Sequence, residues 1–233
     1  MGENRSDRKH RAILDAATEV FLRNGYLGTT VEEVAAVAGV SKPTVYKHFT
    51  DKRRLFLEIV AATVDEAGQV VQDAVSGLAD TQDVEADLRE LARRQLALVL
   101  RPRVLQLRRL VIGETSRFPE LGRTFYERGP GRTIAALAKA FADLDARGAL
   151  LAADPVTAAT QFNWLVMSAP VNQAMLLGDD RAPTASELDH HVEGAVRVFL
   201  AAYGPAARPR ESPRSSEDVH RVGSGIVRTE HQR

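Results

Sequence analysis

With 233 residues, a formal net charge of zero and 44% hydrophobic content, the chain can build one large domain, or a small and a medium one, around a substantial core. It has no cysteine, which excludes disulfides, thiolate metal sites and thiol redox sensing and suits a reducing cytosol. No apolar run approaches the ~20 residues needed to cross a bilayer, and the opening MGENRSDRKHR lacks the apolar stretch of a secretory signal, so a cytoplasmic protein with no membrane partner is expected.

No alternating strand pattern of useful length occurs, whereas helical periodicity recurs along the chain, so the expected fold class is all-α. Ile13, Ala16, Ala17, Val20 and Phe21 form one apolar stripe of a first helix, which Asn24-Gly25 ends because glycine suits the left-handed position. Thr30 with Glu33 makes a capping-box pattern opening a second helix, and Gly39 stops it. Ser41 caps a short third helix, where Pro43 is tolerated because first-turn amides need no internal partner. Asp51 caps a fourth helix running through Leu55, Ile59 and Ala62 toward Val75. Later helices are bounded by Pro102, Pro119, Gly129-Pro130-Gly131, Gly148, Asp154-Pro155, Gly178 and Gly204-Pro205, the last two long ones spanning 155–177 and 185–203. Beyond Pro205, Arg, Pro, Ser and Glu dominate, and too few apolar residues remain to offset the entropy of ordering. The expected division is a head over 1–54, a second domain over 55–204 and a disordered tail over 205–233.

Two short helices joined by Ala38-Gly39-Val40-Ser41 describe a helix-turn-helix, with residues 42–49 as the helix that would enter a major groove. At 100° per residue, Val45 and Phe49 face the bundle, Pro43, Thr44 and Lys47 face away, and Tyr46 and His48 flank that outer face. Lys47 can donate to guanine and Thr44 can bond a base or touch a thymine methyl, while Tyr46 and His48 meet phosphates on the groove walls. Lysine is scarce, five beside twenty-six arginines, yet Lys9, Lys42, Lys47 and Lys52 all fall in the first 52 residues. Lys52, Arg53 and Arg54 occupy the first turn of the fourth helix, where the macrodipole disfavours cations, and a phosphate there would turn that conflict into an anion site.

The stretch ILDAATEVFLRNGYLGTTVEEVAAVAGVSKPTVYKHFTDKRRLF resembles the N-terminal signature of the TetR/AcrR family over its whole length, through Gly25-Tyr26, Thr29-Thr30, Val34-Ala35, Ala38-Gly39-Val40-Ser41, Thr44, Tyr46, His48-Phe49 and Lys52. The resemblance implies a homodimer that binds double-stranded DNA at a palindromic operator and answers to a small-molecule effector, with repression as the family default. It implies DNA contact at Thr44, Tyr46, His48 and Lys52; with Thr30, Lys42, Pro43 and Lys47 these make the candidate DNA-binding set. Further on, LVIGETSRFPELGRTFYERGP is similar to the AefR-like subtype of C-terminal domain.

The last two helices are apolar on more than one face and must be buried on both sides, which pairing with two-fold mates in a four-helix bundle would achieve. Phe162, Leu188, Val192, Ala195 and Phe199 are the expected dimer residues. Phe118, Phe125, Tyr126, Phe141, Trp164 and Met167 are the bulky residues expected near an internal cavity, which would favour an apolar or aromatic effector. Adjacent His190-His191 point about 100° apart on a helix with no suitably spaced third ligand, so no metal is expected. Glu32-Glu33 and Asp179-Asp180 are better explained by capping and a loop than by acid–base catalysis. With no G-x-S-x-G elbow, Walker loop or H-E-x-x-H motif, neither a catalytic residue nor a cofactor is expected. Three readings remain open: a ligand-controlled regulator, a DNA-binding protein of this fold without a ligand, and an all-α enzyme.

Overall fold

A computed structural model describes residues 4–178 and 183–205; Asp179-Asp180 and the tail beyond Pro205 lie outside them. Every regular element among the described residues is helical: α1 (Arg5–Gly28), α2 (Val31–Val37), α3 (Lys42–His48), α4 (Lys52–Gly77), α5 (Val84–Val99), α6 (Pro102–Glu114), α7 (Pro119–Tyr126), α8 (Arg132–Ala146), α9 (Pro155–Leu177) and α10 (Ala185–Tyr203). None of these helices is long and apolar enough to cross a membrane.

The head is assembled by caps. Thr30, Ser41 and Asp51 each accept the N–H three residues on, from Glu33, Thr44 and Arg54, satisfying a donor that has no partner inside the helix. Gly25 lies at φ 70° and breaks the regular helix where the sequence indicates. Gly39, at φ 64°, gives its N–H to Ala36 O while Val40 N–H reaches Ala35 O, the paired bonds of a Schellman turn that a side chain at residue 39 would strain. That turn sets the angle between α2 and α3.

The capping box at Thr30 is only half made. Thr30 Oγ1 accepts from Glu33 N–H at 3.1 Å, but the Glu33 carboxylate bonds Arg23 and Asn24, each at 2.8 Å, tying α2 to the end of α1. The reciprocal box forms instead at α10, where Thr184 and Glu187 exchange side-chain and backbone bonds. Gly129-Pro130-Gly131 also departs from expectation: residues Glu127–Gly131 form a π turn joining α7 to α8, so the helical path bends rather than stops. A Cβ on Gly129 would sit 3.1 Å from Val64 Cγ1, so glycine lets this turn approach α4 closely. Arg128 and Arg132 clamp the turn to Asp65 of α4 at 2.6 and 3.9 Å.

Two hydrophobic clusters result. One holds Ile13, Phe21, Val45, Phe49, Leu55, Phe56, Ile59 and Val60 together with Leu107, Val111 and Leu121 from α6 and α7. The other joins α5, α8, α9 and α10 around Phe141, Phe162 and Phe199, whose ring centroids lie 5.1–5.8 Å apart. Only α4 contributes buried residues to both, through Phe56 and Ile59 at one end and Val71 and Val75 at the other. The head is thus packed on the body along the first half of α4, beyond residue 54.

Candidate nucleic-acid interface and effector cavity

Val45 and Phe49 are each 1% exposed, which fixes the opposite side of α3 toward solvent. Pro43, Tyr46 and Lys47 stand exposed there, and Thr44 and His48 are half-buried. The candidate contacts are not equally available. Lys42 is ion-paired with Glu32 of α2, which holds its ammonium above and the Glu32 carboxyl below their usual pKa values. Thr44 shares a hydroxyl hydrogen bond with Ser41 at 2.8 Å, and the Thr30 hydroxyl is committed to its cap. His48 packs 5.7 Å from the His10 ring, and burial, then His10, Lys47 and Lys9, push its pKa down, leaving the imidazole neutral near pH 7. The Tyr46 hydroxyl and the Lys47 ammonium have no protein partner among the described residues, so they are the groups readiest to meet a polyanion.

The first turn of α4 has protein partners that the sequence does not reveal. The half-buried Lys52 donates its ammonium to Tyr26 O at 2.8 Å and Thr29 O at 2.9 Å and sits 4.6 Å from the Tyr26 ring centroid. Burial, then the nearby Arg117, lowers its pKa. Carbonyls at the α1–α2 turn compensate the cation that the α4 dipole disfavours, so Lys52 fastens α4 to the head. Arg53 pairs with Glu120 at 3.3 Å and Arg54 with Glu58 at 3.0 Å, so a phosphate at this helix end would compete with protein carboxylates.

Between α4, α5, α6, α8 and α9 lies a cavity of about 60 Å³. Of the expected residues, Phe125, Trp164 and Met167 line it. Phe118, Tyr126 and Phe141 do not: Phe118 packs edge-on to Tyr26 at 4.8 Å, Tyr126 is 52% exposed, and Phe141 is sealed among Phe162 and Phe199. From α4 come Val64, Ala67, Gly68 and Val71, so the helix anchored in the head is also a cavity wall. Four polar residues in that wall escape sequence reading: Gln95, Arg108, Thr133 and Asn163. Their signal was a polar side chain inside an apolar stripe, such as Gln95 beside Leu91, Ala92 and Leu96. Gln95 donates to Asn163 Oδ1 at 2.7 Å, and both residues are almost wholly buried.

Residues 13–59 match the model of the tetR family of bacterial regulatory proteins, and residues 86–205 match that of the AefR-like transcriptional repressor C-terminal domain. A TetR-family transcriptional regulator from Mesorhizobium loti has a similar structure, with a TM-score of 0.83 and 42% identity over 87% of this chain and 100% of that one. The chain belongs to the TetR family. The flavonoid-responsive regulator FrrA is also similar, with a TM-score of 0.70 and 31% identity over 85% of this chain and 98% of its own. The transcriptional activator FasR of Mycolicibacterium smegmatis is 37% identical over 76 residues, 33% of this chain and 35% of FasR. The chain spans about a third of the length of such curated relatives. These relatives are transcriptional regulators and not enzymes.

In this TetR-family protein the expected dimer residues need correction. Phe162, Val192, Ala195 and Phe199 are buried within a single protomer, and half-buried Leu188 packs against the same cluster. The four buried residues close the protomer's own core and leave almost no surface for a partner, whereas Leu188 keeps part of its side chain exposed. Outward on α9 and α10 stand Trp164, Leu176 and Val198, at 44%, 80% and 53% exposure. His191 bonds the Val166 carbonyl at 2.8 Å across the two helices.

Proposed function

We propose that the protein is a dimeric cytoplasmic repressor that occupies a palindromic operator and is released by a small apolar or aromatic effector. The observation that carries this reading is the path of α4. Leu55, Phe56, Ile59 and Val60 lock it into the head, and Val64, Ala67, Gly68 and Val71 form the cavity wall.

From Lys52 to Gly68 the helix runs about 24 Å at 1.5 Å per residue. The cavity is narrower than a drug-sized molecule, so a ligand must push its walls apart. A tilt of about 5° at the cavity would carry each head on the order of 2 Å. Two heads docked in successive major grooves must stay roughly 34–36 Å apart, so opposed shifts of this size oppose simultaneous docking. A hundredfold preference for the spread form is worth about 2.7 kcal/mol per site and about twice that per dimer.

The dimer would form on the outward faces of α9 and α10, through Leu176, Val198 and the exposed edge of Trp164. One α3 reads too few bases for specificity, and pairing supplies the second half-site. FrrA's description as flavonoid-responsive supports an aromatic effector. FasR is described as an activator, so the sign of control is tested by transcription of the target gene, which repression predicts will rise when the effector is added.

Operator anisotropy with and without effector tests the coupling. Met167→Trp fills the cavity and is expected to keep wild-type operator affinity while blunting release. An effector that binds free and DNA-bound protein equally would overturn the allosteric reading, because linkage is reciprocal.

A further inference from the structure

Arg108 is the one ionisable residue among those lining the cavity, and it is largely buried there. Among the described residues no carboxylate pairs with it; its charge meets the ring of Phe125, with 5.3 Å from the guanidinium carbon to the ring centroid. An unpaired cation in an apolar wall costs stability, and arginine's planar fork suits a carboxylate held by two parallel bonds. Burial also pushes the guanidinium pKa down, the mark of a charge missing its counter-ion.

A second, independent feature points into the same space. The bond between Gln95 and Asn163 leaves Gln95 Oε1 and Asn163 Nδ2 buried without partners. Turning both amides over leaves one donor and one acceptor again, so the pair offers both in either orientation. Buried polar atoms left this way are costly, and a ligand group able to accept and donate, such as a hydroxyl, would satisfy both.

We propose that the effector is a small amphipathic acid, whose carboxylate pairs with Arg108, whose apolar body lies against Phe125, Trp164 and Met167, and whose hydroxyl or amide meets Gln95 and Asn163. The proposal rests on the effector-cavity reading above and adds a charge to it. Trp164, the only tryptophan in the chain, lines the cavity and supplies the readout.

The test titrates the full chain at pH 7.5 with 4-phenylbutyrate and 4-cyclohexylbutyrate, each against its primary alcohol, following Trp164 fluorescence and operator anisotropy together. Both acids are ionised at that pH, since carboxyl pKa values lie near 4–5, as about 4.3 for Glu. A charge-assisted contact is expected to favour each acid over its alcohol by about tenfold or more. Arg108→Met keeps the side-chain bulk, is expected to melt no lower than wild type, and should bring acid and alcohol within about threefold of each other. Equal or tighter binding of the alcohols to wild type overturns the acid assignment, even if they release operator and uphold ligand control. No binding of either acid at millimolar concentration overturns it as well. Arg108-dependent binding of the acids with unchanged operator affinity upholds the assignment and removes ligand control instead.

Discussion

Replacing Lys52 with methionine separates two roles that its position on α4 could support. Its ammonium gives two hydrogen bonds to backbone carbonyls at 2.8 and 2.9 Å and lies over the Tyr26 ring. Hydrogen bonds from a charged donor are worth about 1.5 kcal/mol each at the low end, and a half-exposed cation–π contact about 0.5. Removing a cation from the positive end of α4 returns about 0.5 kcal/mol, and solvent screening trims the rest. Lys52→Met should therefore cost about 2–3 kcal/mol, which lowers Tm by about 5–10 °C in a chain of this size. Calorimetry on wild type and variant, beside operator titrations from 50 to 200 mM salt, gives both readouts. The staple predicts a lower Tm and an unchanged salt slope. An unchanged Tm with a slope reduced by about 0.9 would instead make Lys52 a phosphate anchor and exclude the staple.

Tyr46→Phe and Lys47→Ala alter exposed groups without protein partners, so both should weaken operator binding at wild-type Tm, with Lys47→Ala also changing base preference in competition assays. Val198→Glu should yield folded monomers in sedimentation, whereas Phe199→Ala, at a fully buried ring, should cost about 3–5 kcal/mol in denaturant unfolding; a monomeric wild type would contradict the dimer proposal. His48 has a lowered pKa in the free protein, so a neighbouring phosphate would raise it and draw in a proton. Operator affinity should then rise as pH falls from 7.5 toward 6, and His48→Gln should flatten that slope. The stability effect has the opposite sign: protons favour the unfolded chain, so His48's contribution declines as pH falls below about 6.5.

The head was legible because its instructions are local. Thr30, Ser41 and Asp51 each cap within three residues, and the bonds of the Gly39 turn span three and five, so a short window contains donor and acceptor together. The bounds of α9 and the end of α10 followed from Asp154-Pro155, Gly178 and Gly204-Pro205 for the same reason. What failed was sidedness. Phe162 and Phe199 lie on helices apolar around much of their circumference, and periodicity does not say which face meets the chain's own core and which a second copy. The anchoring of Lys52 was not legible because its acceptors, Tyr26 O and Thr29 O, lie 26 and 23 residues away in sequence. Gln95 and Asn163 are 68 residues apart, and only packing of α5 on α9 makes them a pair.

The proposed function depends above all on two copies of α3 reading DNA together. Sequencing the DNA that the intact chain selects from a random pool tests it most directly. The expected product is an inverted repeat whose half-sites are centred about one helical turn apart, or a whole multiple of it. Enrichment of a single unrepeated half-site, or no enrichment over the starting pool, would contradict it.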